Sequence, residues 1–368
     1  MILAVFILFI VVFFYPIHDA FGIAKLAYLA VLAAIAAFRL WRMEKVRVPY
    51  AVPLLLYLLA VLFSAKNVVY WYSYILAVGG DLAAITVMVY LANAKIIPKD
   101  LMRAIARIAF VFSGFAVFLY FGPTLYSGKP DWAWESTMGN TGFAAGMLAA
   151  LIPVVVWLAW TEKKTWWIWL TLALQVIHLD MTISRTPWVS LVGVSFIALV
   201  GGAIRYPANR LKIASAAIVL SLLVILLSAA FMDIHSQKPY SIGVRVTYWK
   251  GTWQMIKDHP VFGIGRGQTQ VLALPYMAKA GDSGLFFVDH IHNDYLEILG
   301  ELGPLGLAGL LGIIAMTLLK SIEAPEWRWA IGLAYMTLLI NALTFFPLHT
   351  VAQATYFWGY AGLIARQT

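Results

Sequence analysis

HNDYLEILGELGPLGLAGLL, residues 292–311, runs from a polar stretch holding an imidazole, an amide and three carboxylates into a glycine-spaced apolar helix. The apolar part continues to residue 319 and is long enough, at 1.5 Å per residue, to enter and cross most of a ~30 Å hydrocarbon core. The stretch therefore reads as a polar loop re-entering a membrane at Gly303-Pro304-Leu305-Gly306. Working outward, apolar runs recur along the whole chain: 1–16, 22–38, 50–65, 68–93, 104–122, 140–160, 165–184, 187–204, 212–231, 303–319, 327–346 and 350–365, about twelve expected spans. With 62% hydrophobic and 12% charged residues, the 368-residue chain has too little polar side chain to cover a water-facing surface. In lipid each backbone N–H and C=O must be satisfied internally, so the expected fold is an all-α polytopic bundle, one integral membrane domain over 1–368.

Basic residues orient the bundle. Arg39, Arg42, Lys45 and Arg47, then Lys95, Lys99 and Arg103, then Lys163-Lys164, then Arg205, Arg210 and Lys212 all fall between spans on the same side. The positive-inside rule makes that side cytoplasmic and places both termini there. This pattern accounts for most of the formal charge of +9, which leaves no reason to read nucleic-acid binding. The first run lacks a basic n-region and an A-x-A exit and is followed by further spans, so it is expected to be retained. There is no cysteine, hence no disulfide, thiolate ligand or cysteine nucleophile.

On the outer side, residues 123–139 form a modest loop, and 232–302, between spans nine and ten, a long one. Within the long loop Val244 to Ile256 (VRVTYWKGTWQMI) sets Arg245, Trp249, Thr252 and Ile256 on one helical face, predicting a short amphipathic helix near the interface. Pro260 ends it, and Gly263-Ile264-Gly265-Arg266-Gly267 predicts a flexible turn. Arg245 near that helix's N-terminus can join backbone N–H groups in holding a phosphate, or it can be an arginine snorkelling beside interfacial tryptophans. Arg185, in the turn between spans seven and eight, reads as a headgroup anchor or as a ligand for an anion, and Lys25 reads the same way more weakly. Asp81, after Gly79-Gly80, marks a helix break or an ion pair. His290-x-His292 beside Asp289 and Asp294 has no third metal ligand at familiar spacing, so no metal and no cofactor is expected.

His292 alone would be a histidine that caps span ten. Beside two arginines at one membrane face, it is instead a candidate base. No P-loop and no GxGxxG-bearing βαβ unit is present to bind a soluble nucleotide. SRTPW (184–188), RVTYWKGTWQMIKDHPVFGIGRG (245–267) and HNDYLEILGELGPLGL (292–307) resemble the O-antigen ligase and polymerase superfamily of bacterial inner-membrane glycosyltransferases. The last carries that family's His-Asn, nine residues, Gly, two residues, Gly pattern.

The resemblance implies a bundle like the GT-C glycosyltransferases, in the bacterial inner membrane with a periplasmic active site. It implies metal-independent, inverting transfer of a glycan from an undecaprenyl-diphosphate carrier to an acceptor hydroxyl, with lipid A-core as the first acceptor. A polymerase acting on a second carrier-linked unit, or a protein O-oligosaccharyltransferase, shares the chemistry. By resemblance Arg185 and Arg245 would grip the diphosphate and His292 would activate the acceptor. Arg266, Asn293, Lys25, Glu297 and Glu301 are second-rank substrate contacts. Asn293 reads equally as orienting His292, and Glu297 and Glu301, four apart, as paired with arginines or as solvated. A secondary transporter is the more distant alternative, because about twelve spans is also a transporter plan.

Overall fold

A computed structural model describes residues 22–121, 135–162, 165–205, 240–281, 288–323 and 326–366. Among these, all regular structure is helical: α1 (Gly22–Trp41), α2 (Ala51–Ser64), α3 (Trp71–Asn93), α4 (Pro98–Phe121), α5 (Thr141–Thr161), α6 (Trp166–Met181), α7 (Arg185–Arg205), α8 (Tyr240–Asp258), α9 (Thr269–Lys279), α10 (Asp294–Ile322), α11 (Glu326–Asn341) and α12 (Val351–Ala365). Six of them, α1, α3, α4, α5, α7 and α10, are long and apolar enough to cross a membrane. Helices α2, α6, α11 and α12 are 14, 16, 16 and 15 residues and coincide with further expected spans. The expected spans 1–16 and 212–231 lie outside the described residues, as do most of the 123–139 loop and part of the 232–302 loop.

The core follows from which helices carry small residues on a shared face. α5 (TGFAAGMLAALIPVVVWLAWT) is buried on nearly every side, from Ala144 to Ala159, and packs on α4, α6, α7 and α11. α10 lies along α2, where a Cβ on Gly309 would stand 2.5 Å from the Tyr57 backbone nitrogen, so only glycine permits that approach. Outward faces carry Leu55 and Leu62 on α2 and Val189 and Phe196 on α7, all exposed, as lipid contact requires.

Two ends of the bundle differ in chemistry. At one, the Arg47 backbone N–H donates to Asn93 Oδ1 (2.9 Å), Arg103 and Lys99 meet Glu162 at 2.9 and 3.2 Å, Lys320 lies over the Tyr50 ring, and Arg328 donates to the Arg366 carbonyl. At the other, a 3-10 turn (Ala65–Asn67), the segment 259–268, residues 288–293 and the turn 342–350 converge. The Arg39–Arg47 and Lys95–Arg103 clusters and the His292 region therefore occupy opposite ends; Lys163, Lys164, Arg210 and Lys212 lie outside the described residues.

Of the two readings of Asp81, the ion pair is the one the structure holds: α3 is continuous through Gly79-Gly80, and Asp81 pairs with Arg266. One expectation is corrected. Span ten begins with helix at Asp294, nine residues before the expected start, and the break lies within it at Gly303 (φ 69°, ψ −174°).

Candidate functional site

Pro304 is where the site begins. It has no N–H to return to the Gly300 carbonyl, and Gly303 turns the chain with positive φ, so the carbonyls of Gly300 and Glu301 are left open inside α10. The segment after α8 fills them: Ile264 N–H donates to Gly300 O (2.9 Å) and Gly265 N–H to Glu301 O (3.0 Å). Gly263, Gly265 and Gly267 all have positive φ (64°, 105°, 72°), and a Cβ on Gly263 would collide with the Glu301 carbonyl. The turn expected to be flexible is a fitted strap.

The strap carries Arg266 inward. Its guanidinium is buried and donates to Asp81 Oδ2 and Oδ1 (2.9 and 3.2 Å) and to Glu301 Oε2 (2.8 Å). Tyr57 Oη donates to Asp81 Oδ2 (2.9 Å), and Thr269 Oγ1 to Glu301 Oε1 (2.8 Å). Burial is the largest influence and works against the arginine's charge, but the carboxylates of Asp81 and Glu301, with Tyr57, together outweigh it and hold the guanidinium protonated. Arg266 is therefore a buried tie between α3, α10 and the strap, with its donors committed to carboxylates, and the expected substrate contact gives way to that role. Glu301 pairs with an arginine, as one of its two readings allowed.

Ahead of α10, Asn293 accepts the Leu296 N–H at Oδ1 (3.0 Å), so it caps the helix and leaves His292 unoriented by it. His290 Nδ1–H donates to Glu297 Oε1 (2.7 Å), and Ile291 N–H to Glu297 Oε2 (3.2 Å), so Glu297 partners a histidine. His349, from the turn before α12, donates from Nδ1 to Asp294 Oδ1 (2.5 Å) and sets Nε2 3.6 Å from both Glu297 and Glu301. Burial is the largest influence and works against a charge on His349, but the Glu297 charge and the hydrogen bonds to Asp294 and Glu301 together outweigh it, and the imidazole stays protonated up to about 10. His290, Glu297 and His349 offer three potential metal ligands within 4.8 Å of one another. The 2.7 Å His290–Glu297 separation is a hydrogen bond, shorter than the roughly 3.3 Å between two donors held ~2.0 Å from a tetrahedral ion. His349 supplies the third group that the linear H-x-H spacing lacked, and as arranged the cluster holds protons.

His292 is set apart from this network. It adopts φ 56°, a left-handed conformation uncommon for a residue with a Cβ, and its Nδ1 is buried without a hydrogen-bond partner. Its ring stacks against Tyr248 (6.1 Å between centroids) and meets Phe345 and Phe346 (5.7 and 4.9 Å). Burial first, then the charges of Arg245 and His290, lower its pKa to about 4, so the imidazole is neutral at physiological pH. That makes it chemically able to accept a proton.

Arg245 stands near enough to act on His292 electrostatically. It lies one helical turn before Trp249, whose indole N–H donates to the Ile291 carbonyl (3.1 Å). It is half-buried, burial lowers its pKa, and among the described residues no carboxylate pairs with it. It sits five residues inside α8, so the expected help from N-terminal N–H groups is not available at its position. The buried stripe of α8 is Tyr248, Gly251, Thr252 and Met255, displaced by a residue from the predicted face except at Thr252. Arg185 opens α7 and is exposed; its neighbour Thr186 meets Thr344 (3.3 Å between hydroxyls), next to the Phe345–Phe346 pair that packs on His292. Both arginines are thus at the His292 end. Lys25 is buried and donates to the Thr137 carbonyl (2.6 Å), a contact with chain rather than with this cluster.

The sequence reading missed His349 and the aromatic wall of Tyr248, Phe345 and Phe346. A histidine after a proline between two apolar runs carries no local sign of the carboxylates it will meet.

Residues 170–311 match the O-antigen ligase family. The match runs from the second turn of α6 to the middle of α10, and it contains Arg185, Arg245, Arg266 and His292 but not His349. No curated protein shows significant similarity to the chain.

Proposed function

We propose that this chain, a membrane protein of the O-antigen ligase and polymerase superfamily, transfers a glycan from an undecaprenyl-diphosphate carrier to an acceptor hydroxyl at the periplasmic membrane face. The observation that carries the reading is the pairing of a neutral, aromatic-walled His292 with a half-buried Arg245 that has no carboxylate among the described residues. A cation kept short of a counter-ion is matched to an anion that arrives with substrate.

In the step itself the acceptor oxygen attacks the anomeric carbon from the face opposite the diphosphate. Its O–H proton passes to the His292 imidazole as the new C–O bond forms. The C–O bond to the carrier breaks, and its electron pair leaves with the diphosphate. Arg245, with Arg185 from the start of α7, stabilises that growing negative charge more in the transition state than in the ground state. A single displacement inverts the anomeric centre and asks for no metal. Lipid A-core is the first acceptor to test; a second carrier-linked glycan and a protein hydroxyl are the rivals within the same chemistry.

The test is turnover by the purified chain in proteoliposomes supplied with carrier-linked glycan and each acceptor. Arg245→Ala and His292→Ala should each lower the rate by ~10²–10³-fold while melting as the wild type does. Rates within about threefold of wild type for both variants, or no transfer to any of the acceptors, would overturn the assignment.

A further inference from the structure

The backbone that carries His292 is pinned through the residue before it. The Ile291 side chain is fully buried and packs with Tyr248 of α8, Ala273 and Met277 of α9, and Val288. The Ile291 N–H donates to Glu297 Oε2 (3.2 Å), and the Ile291 carbonyl accepts the Trp249 indole N–H (3.1 Å). Both peptide planes that flank Ile291 are thereby held, one from α10 and one from α8. With the second plane set, the φ of His292 (56°) decides where its ring projects, and the ring lands against Tyr248, Phe345 and Phe346.

Glu297 is fixed in its turn. It is fully buried in the first turn of α10, and its other oxygen, Oε1, accepts His290 Nδ1–H (2.7 Å) and stands 3.6 Å from His349 Nε2. The His290 ring stacks on Phe346 (4.4 Å between centroids), the ring whose edge meets His292. His349 is anchored by Asp294, whose second oxygen takes the Leu348 N–H (2.8 Å). A buried carboxylate is tolerated only when donors surround it, and here those donors belong to the residues that precede the base. One side chain thus sets the backbone ahead of His292 and, through His290, the wall beside it. Two acceptor oxygens are needed for that; glutamine offers one and leucine none.

We propose that Glu297 and Trp249 are positioning residues for His292: through the N–H and the carbonyl of Ile291 they fix where the imidazole meets the hydroxyl it deprotonates. The proposal rests on the transferase reading and adds to it the groups that act through its base. Steady-state transfer by the full-length chain in proteoliposomes, as single variants and on a His292→Ala background, is the test. Trp249→Phe keeps an aromatic ring and removes the N–H, while Glu297→Leu removes both acceptors. Each should lower kcat roughly 10- to 100-fold and leave KM for the carrier-linked donor within about twofold of wild type. Glu297→Gln, which keeps an acceptor for Ile291, should recover most of the loss. Added to His292→Ala, Trp249→Phe or Glu297→Leu should lower the residual rate by less than about twofold, because the group they act through is gone. Wild-type kcat in both single variants, a loss confined to KM, or losses that multiply in full on the His292→Ala background would each overturn the proposal. If Glu297→Leu does not fold, Trp249→Phe, which alters no buried charge, decides alone. Transfer by the wild type and its loss in His292→Ala settle the transferase reading by themselves, so a failure of positioning is separate from a failure of that reading.

Discussion

His292 is held in a state that its ordinary chemistry would not give it. A left-handed φ of 56° at a residue with a Cβ costs on the order of 1 kcal/mol and persists only where neighbours over-determine it, here Tyr248, Phe345 and Phe346 on the ring. With its pKa lowered to about 4, the base is fully available from pH 6 to 8. The free-enzyme rate constant kcat/KM should accordingly be flat across that range and fall only as pH drops through about 4 in the acid limb. Stability follows with a definite sign. The unfolded imidazole, with an ordinary value of 6.5, takes a proton before the folded one does, so His292 costs stability as pH falls from 6.5 towards 4 and contributes no slope above 6.5. His349 has the reverse sign: its contribution is complete below 6.5 and is lost as pH rises through about 10. A kcat/KM profile with a midpoint between 6 and 7, abolished in His292→Ala, would contradict the neutral-base account.

At the scale of elements, the decisive feature is the interruption of α10. Gly303 allows the positive φ, Pro304 withholds the N–H, and the strap from 263 to 267 uses the two carbonyls so exposed. Gly303→Ala meets two penalties at once: a positive φ that alanine disfavours and a Cβ driven into the Val261 carbonyl. The expected loss is about 2 kcal/mol or more, with transfer falling as well because Glu301 and the strap shift together. A wild-type melting curve and rate for Gly303→Ala would show that the interruption is dispensable. Most of the helices were readable from apolar runs alone, since a run of the right length in lipid has helix as its only open-chain solution. The first three turns of α10 were not. Asp294, Glu297 and Glu301 make 294–302 look like loop to any hydropathy argument, yet all three carboxylates are buried, satisfied by His349, His290 and Arg266. The partners of Asp294 and Glu301 are 55 and 35 residues away, and no local spacing announces them. The face of α8 was misplaced for a related reason: amphipathic spacing chose the aromatic Trp249, but Gly251 and Met255 decide how closely α9 and α10 approach.

For the molecule as a whole, the Arg39–Arg47 and Lys95–Arg103 clusters lie at one end and the His292 cluster, with Arg185, Arg245 and Arg266, at the other, and the first of these was legible because inter-span basic clusters are written in charge. What joins the two halves of the chain at the His292 end was not legible. Asp81 belongs to α3 and Arg266 to the strap, 185 residues apart, and their ion pair, shared with Glu301 and Tyr57, ties an early span to the late functional segment. A buried pair of this kind costs more when halved than when removed. Asp81→Asn leaves the guanidinium with Glu301 alone, and its destabilisation should be on the order of 3 kcal/mol; Arg266→Met strands two carboxylates and should be at least as severe. The double variant Asp81→Asn/Arg266→Met should be less destabilised than the sum of the singles, by about 1 kcal/mol or more, because each change removes the other's penalty. Chemical unfolding of the four proteins in one detergent measures that coupling. Strict additivity would mean that the pair does not act as a unit, and the link between α3 and the strap would then have to be carried by Gln268, whose side chain bridges the backbone of Val69 and Tyr70.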